Sequence, residues 1–230
     1  MVDLQVIYED NHLIAVNKPA GWLVQGDITG DMPISEAVKA YIKDRYNKPG
    51  AVYLGTIHRI DRPVSGVVVF ARTSKALTRM NKLFQEKAIK KTYLAITDTR
   101  PDPLSGHLTH YLIKDTTINK AKAYDRPSNK AKNAKKSELT YELKGGLAGH
   151  HLLEIHPLTG RPHQIRVQLS RIGCPIRGDL KYGHPTPNVD GSIHLHCRQM
   201  EFIHPVKKVP VVISADVPDE SVWNLFDLDN

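Results

Sequence analysis

Two cysteines in 230 residues are too few for a disulfide framework, and Cys174 and Cys197 lack the C-x-x-C spacing of metal or redox motifs. A reducing cytoplasm is the expected compartment. The start of the chain has no apolar run long enough for a signal peptide or membrane span, and Asp3, Glu9 and Asp10 fall within the first twenty residues. No membrane partner is expected. No G-x-G-x-x-G follows a strand-like run, and H-E-x-x-H is absent. Gly21 and Gly26 have the spacing of a phosphate-cradling loop, but Asp27 stands where that loop needs lysine. Internal repeats are missing too. Acidic residues are the minority, 24 against 32 Lys and Arg, and the net charge of +8 favours a polyanionic partner. Hydrophobic residues at 40% and charged residues at 24% are the balance of an ordinary globular protein. The length allows one domain, residues 1–230, with a sizeable core.

Strand-like runs occur at residues 4–8, 12–17, 51–57 and 66–71, the last continuous enough to be buried on both faces. "DMPISEAVKAYIKDRY" carries Ile34, Ala37, Val38, Tyr41 and Ile42 at helical spacing, with Asp31 as its expected cap and Pro33 in the first turn. A second helix is expected after Ser74, with Leu77, Met80, Leu83 and Phe84 along one side. "KKTYLAIT", "HLTHYLI", "ELTYEL" and "HHLLEIHP" return to strand. A third helix is expected from Pro162 to Gly173, burying Ile165, Leu169 and Ile172. Alternation in "SIHLHCRQMEFIHP" and "VPVVISADV" predicts late strands, and "DESVWNLF" a short final helix.

Residues 114–136 depart from this pattern. Lys114, Lys120, Lys122, Arg126, Lys130, Lys132, Lys135 and Lys136 face only Asp115 and Asp125 in charge, and apolar residues are scarce. The segment reads as a basic loop or arm, either simply solvated or following phosphates.

Twelve histidines raise the question of metal. His194 and His196 lie two apart on an expected strand and face the same way. With Cys197, His184 or His204 they would make a zinc site, but no recurrent ligand spacing supports it, and no metal is expected.

The densest chemistry is in "GTIHRIDRPVSGVVVFART", where Asp61 stands among Arg59 and Arg62 on a turn before the valine block. Flanking guanidinium groups favour the ionised carboxylate, which suits a nucleophile or base better than a proton donor. A salt-bridge network bracing a turn is the structural alternative, though it would not need surplus cations. Tyr93 enters the strand "KKTYLAI", where a half-buried strand aromatic is the plain reading. In "PLTGRPHQIRVQL", Thr159 and Gly160 lead through Arg161 into the helix expected at Pro162, and His163 lies in its first turn. Arg166 follows His163 by three on one helical face.

"HRIDRPVSGVVVFAR", together with "YEDNHLIAVNKPAGWLVQGD", "TGRPHQIRVQL", "GCPIRGDLKYG" and "LHCRQMEFIHP", resembles the RluA-type pseudouridine synthases from about Tyr8 to Pro210. Val64 stands where the family usually has threonine. The chain begins almost at once with the catalytic core, so the small RNA-binding domain that precedes it in many members is not expected. The resemblance implies an α/β (α+β) pseudouridine synthase fold, a mixed, largely antiparallel sheet in two lobes flanking a basic RNA-binding cleft. It implies isomerisation of uridine to pseudouridine in ribosomal or transfer RNA, without cofactor or metal. By that resemblance Asp61 is the essential aspartate, Tyr93 stacks on the base, Arg166 pairs with the aspartate, and Arg59 fills the gap left by the departed nucleotide. Arg62, Arg161, His163, Lys130, Lys132, Lys135 and Lys136 are the remaining expected RNA contacts, and a monomer is expected. The rival readings are a catalytically silent RNA-binding protein, a base-excising glycosidase and a zinc hydrolase built around His194 and His196.

Overall fold

The elements run in the order β1 (Val6–Glu9), β2 (Leu13–Lys18), α1 (Ile34–Arg45), β3 (Gly55–Thr56), β4 (Ser65–Ala71), α2 (Ser74–Gln85) and β5 (Lys90–Thr97). They continue with β6 (Ser105–Asp115), β7 (Lys120–Tyr124), β8 (Lys135–Leu147), β9 (His150–Pro157), α3 (Gln164–Arg171), β10 (Leu195–Ile203) and β11 (Pro210–Ser214). This is an α/β chain in which strands predominate. The computed structural model describes residues 4–127 and 131–228. It divides into one unit of Met1–Lys91 with Cys197–Val217 and another of Thr92–His196 with Pro218–Asn230.

In the first unit the strand order is β1-β2-β4-β10, with β11 paired to β10 and β3 to β4. β4 is buried at every position, as its unbroken apolar run requires, and β2 beside it buries Leu13, Ile14, Ala15 and Val16 completely. Gly66 has φ +114, and a Cβ there would lie 2.3 Å from the Cys197 carbonyl oxygen. The Ser-Gly step therefore admits neighbouring backbone as well as turning the chain. The expected strand over 51–57 contracts to Gly55–Thr56, which pairs only with Ala71 and Phe70 at the end of β4.

Two helix starts differ from expectation. Pro33 occupies the N-cap of α1 without a side-chain cap bond, because Asp31 is turned to Arg62 instead. Thr73, one residue before Ser74, caps α2 by accepting from the Ala76 N–H at 3.1 Å.

In the second unit the order is β5-β9-β8-β6-β7, and each of those pairs is antiparallel. The segment 114–136 is not one loop. Lys120–Tyr124 forms β7 against β6, because Ala121 and Ala123 alternate with Lys120, Lys122 and Tyr124 in the period of a strand. α3 is buried at each position from Gln164 to Leu169, polar residues included, whereas Ile172 is only half-buried. The expected final helix is a single 3₁₀ turn, Trp223–Leu225.

Candidate active site

Asp61 opens a four-residue turn closed by the Val64 N–H donating to the Asp61 carbonyl at 3.0 Å. Val64 is 2% exposed and belongs to the core, where a methyl in place of the family's hydroxyl needs no hydrogen-bond partner. Asp61 is half-buried, while Arg59 and Arg62 are exposed.

Lys18 closes β2 with no exposed surface, and its Nζ donates to Trp22 O at 2.8 Å, Pro19 O at 2.9 Å and Arg62 O at 3.2 Å. Three protons meet three carbonyls, so the ammonium is saturated. Burial pulls its pKa down to about 7; the Asp61 carboxylate acts upward and Arg62 downward. Ammonium and carboxylate thus share one electrostatic neighbourhood.

Arg62 reinforces the same joint. Its Nε donates to Gly21 O at 2.9 Å, the Gly21 N–H returns to Arg62 O at 2.8 Å, and its Nη1 pairs with Asp31 at 2.7 Å. The cation bracing this loop still has 47% of its side chain exposed. His58 holds the other side of the segment. Its ring stacks on Phe84 at 5.5 Å, and its Nε2 accepts from the Val69 N–H at 3.0 Å. Burial pushes its pKa down to about 3, with Lys91 acting in the same direction, so the ring is neutral and free to accept.

Tyr93, Arg161, His163 and Arg166 lie in the second unit. Tyr93 is half-buried on β5, in register with Ile155 of β9. Arg166 is gripped by Asp179: Nε to Oδ2 at 2.7 Å and Nη2 to Oδ1 at 2.8 Å, with both side chains almost wholly buried. Such a fork fixes the plane of the guanidinium as well as its position.

α3 starts at Gln164, whose side chain ties down the loop before the helix and caps none of the helix's own N–H groups. Its Oε1 accepts from Thr159 Oγ1 at 2.7 Å and from the Arg161 N–H at 3.0 Å, and its Nε2 donates to Glu138 O at 3.0 Å. His163, at φ 55, precedes the first helical residue and is 9% exposed, with its Nδ1 2.8 Å from Tyr182 Oη. Arg161 is exposed.

Of the basic segment, Lys132, Lys135 and Lys136 are exposed, Lys136 being paired with Glu138 at 2.8 Å. Lys130 lies outside the described residues. Among the described residues no three His, Cys, Asp or Glu side chains are grouped to hold a metal. His194 Nε2 faces Glu220 at 2.9 Å, His184 Nε2 faces Asp98 at 3.0 Å and His204 Nε2 faces Asp10 at 2.9 Å.

Reading the chain alone left out Lys18, His58, Asp179 and Tyr182. Their signals were present in "VNKPAG", "HRID" and "RGDLKYG", but a lysine closing a buried strand or an aspartate after glycine does not announce its partner.

The family model described as RNA pseudouridylate synthase matches residues 12–171. The tRNA pseudouridine synthase C of Vibrio cholerae serotype O1 is 31% identical over 235 residues, covering 96% of this chain and 93% of the relative. The ribosomal large subunit pseudouridine synthase D of Xylella fastidiosa is 30% identical, covering 95% of this chain and 67% of the relative. For the tRNA pseudouridine synthase C of Pectobacterium carotovorum the identity is 30%, and this chain, 97% of it aligned, spans only 62% of that relative's length. Among solved structures, human RNA pseudouridylate synthase domain containing 4 superposes with a TM-score of 0.78 at 25% identity, covering 96% of this chain and 91% of that one.

Proposed function

The chain belongs to the RNA pseudouridylate synthase family, and from that premise we propose that it isomerises uridine to pseudouridine within ribosomal or transfer RNA. The observation that carries this reading is that the family match takes in Asp61, Tyr93 and Arg166 together. The N1–C1′ bond breaks, the freed uracil turns, and C5 bonds to C1′; the proton leaves C5 and N1 regains one. Asp61 opens the sequence, by attack on the sugar or base or by removing a proton. Tyr93 stacks on the base and assists the late proton loss. Arg166, held in plane by Asp179, is the cation that the resemblance pairs with the aspartate, and Arg59 enters the space that the base vacates.

A braced carboxylate suits this chemistry. Unstacking the target nucleotide costs about a few kcal/mol, offset by stacking and phosphate contacts. The detached uracil must stay confined until it rejoins, so a turn clamped by Lys18 and Arg62 favours isomerisation over loss of the base. Arg62, Arg161, Lys130, Lys132, Lys135 and Lys136 serve as phosphate contacts. His163, with little exposed surface, enters as support for α3. We place the protein in the cytoplasm as a monomer acting without cofactor, so activity is expected to persist in chelator. Loss restored by added metal would count against this.

The test is Asp61→Asn on uridine-containing ribosomal and transfer RNA. Pseudouridine formation is expected to fall at least about a thousandfold with RNA binding retained. Free uracil among the wild-type products would point to a glycosidase, and binding without any product to a silent RNA-binding protein.

A further inference from the structure

We propose that Tyr182 is a positioning residue for Arg166 and the link through which the basic β6–β7 hairpin bears on it. The inference rests on the reading above, in which Arg166 acts at the reacting nucleotide.

Tyr182 is 4% exposed and ends the short 3₁₀ turn that follows Asp179, the residue gripping Arg166. Its ring centroid lies 5.1 Å from the Arg166 guanidinium and 5.5 Å from Lys120 Nζ. Both are within the range of a cation–π contact. One aromatic ring is thus shared by the arginine of α3 and a lysine of β7.

The hydroxyl makes a second connection between the same two elements. It accepts the Ala121 N–H of β7 at 2.7 Å and lies 2.8 Å from His163 Nδ1, at the start of α3. It accepts from the amide, and it pairs with the imidazole in the sense that the ring's tautomer sets. β7 ends the strand order of its unit, and Ala121 N–H on that edge finds its acceptor in Tyr182. Leu112, Ala121, Val167 and Tyr182 form one apolar cluster. Lys181 Nζ reaches Asn119 O at 3.0 Å, and Ser170 Oγ reaches Tyr182 O at 2.6 Å. A tyrosine that merely filled space would need neither the Ala121 amide nor the His163 imidazole on its hydroxyl, and phenylalanine would serve as well. Here ring and hydroxyl each join the strand bearing the lysines to the helix bearing Arg166. Phosphate drawing on Lys120 is therefore felt at the guanidinium.

The experiment is a double-mutant kinetic cycle on the full chain with substrate RNA, read by steady-state pseudouridine formation. Tyr182→Phe keeps the ring and is expected to lower kcat about tenfold, with KM changed less than twofold. In an Arg166→Lys background the same substitution is expected to change kcat less than twofold. Equal losses in both backgrounds, or a rise in KM with kcat intact, would overturn the coupling. Should Tyr182→Phe fail to fold, Lys120→Ala on the hairpin surface gives the second reading: a fall in kcat beyond its effect on RNA binding supports the link, and an effect on binding alone refutes it. The wild type in the same assay separates the two ideas. No product from it removes the functional reading and the inference with it, whereas an active wild type with additive effects removes the inference alone.

Discussion

Lys18 and His58 hold the Asp61 segment from two sides, and their charge states work in different ways. Lys18 closes three carbonyls from two separate stretches around one buried nitrogen. Lys18→Met takes a donor from all three oxygens, leaving Arg62 O with the Gly21 N–H, and is expected to destabilise the protein by about 3 kcal/mol, measured by urea unfolding, with activity falling further because the turn loosens. His58 accepts a backbone N–H and must stay neutral to do so. Its pKa of about 3 in the fold lies below the ordinary 6.5, so its contribution to stability is complete above pH 6.5 and is lost as the pH falls toward 3. Unfolding free energy measured across that window is expected to decline in the wild type, and this part of the slope to vanish in His58→Gln. An unchanged slope would contradict the assignment. At this scale the sequence made Asp61 legible, because a carboxylate among arginines is conspicuous on its own. Lys18 was not, because its role depends on carbonyls of Trp22 and Arg62 that only folding brings to it.

Among the elements, β4 and its glycine show how local pattern and tertiary contact divide the work. The valine run was readable as a buried strand by composition alone, and β10 and β11 by their alternation. The reason for Gly66 was only half readable: the turn propensity of Ser-Gly is local, while the approach of Cys197 backbone is not. Gly66→Ala places a methyl against that backbone at a positive φ and is expected to cost about 3 kcal/mol or more, seen as a lower urea midpoint with an unchanged denaturant slope. α3 teaches the converse. Its apolar spacing gave the helix, yet its start lies at Gln164 and not Pro162, where an interior-looking glutamine ties the approaching loop through Thr159 and Arg161. Buried Gln164 and Gln168 also made the helix look more two-faced than it is. The hairpin strand β7 was hidden by its lysines, whose charge masked the two-residue period carried by small alanines.

For the whole molecule, the net charge of +8 matters through phosphate. Neutralising Lys132, Lys135 and Lys136 together is expected to weaken RNA binding and to flatten the plot of log affinity against log salt. On single-stranded RNA the flattening is about 0.7 for each phosphate left without its lysine. A slope equal to the wild type would make those lysines bystanders. The relatives include enzymes named for ribosomal and for transfer RNA, and the basic hairpin fits either polyanion. The central claim is that this chain makes pseudouridine through Asp61. Its most direct measurement is a map of pseudouridines in ribosomal and transfer RNA from cells lacking the protein, complemented with wild type or with Asp61→Asn. The account predicts at least one site lost, restored by the wild type and left as uridine by Asp61→Asn. An unaltered map, or restoration by Asp61→Asn, would contradict it.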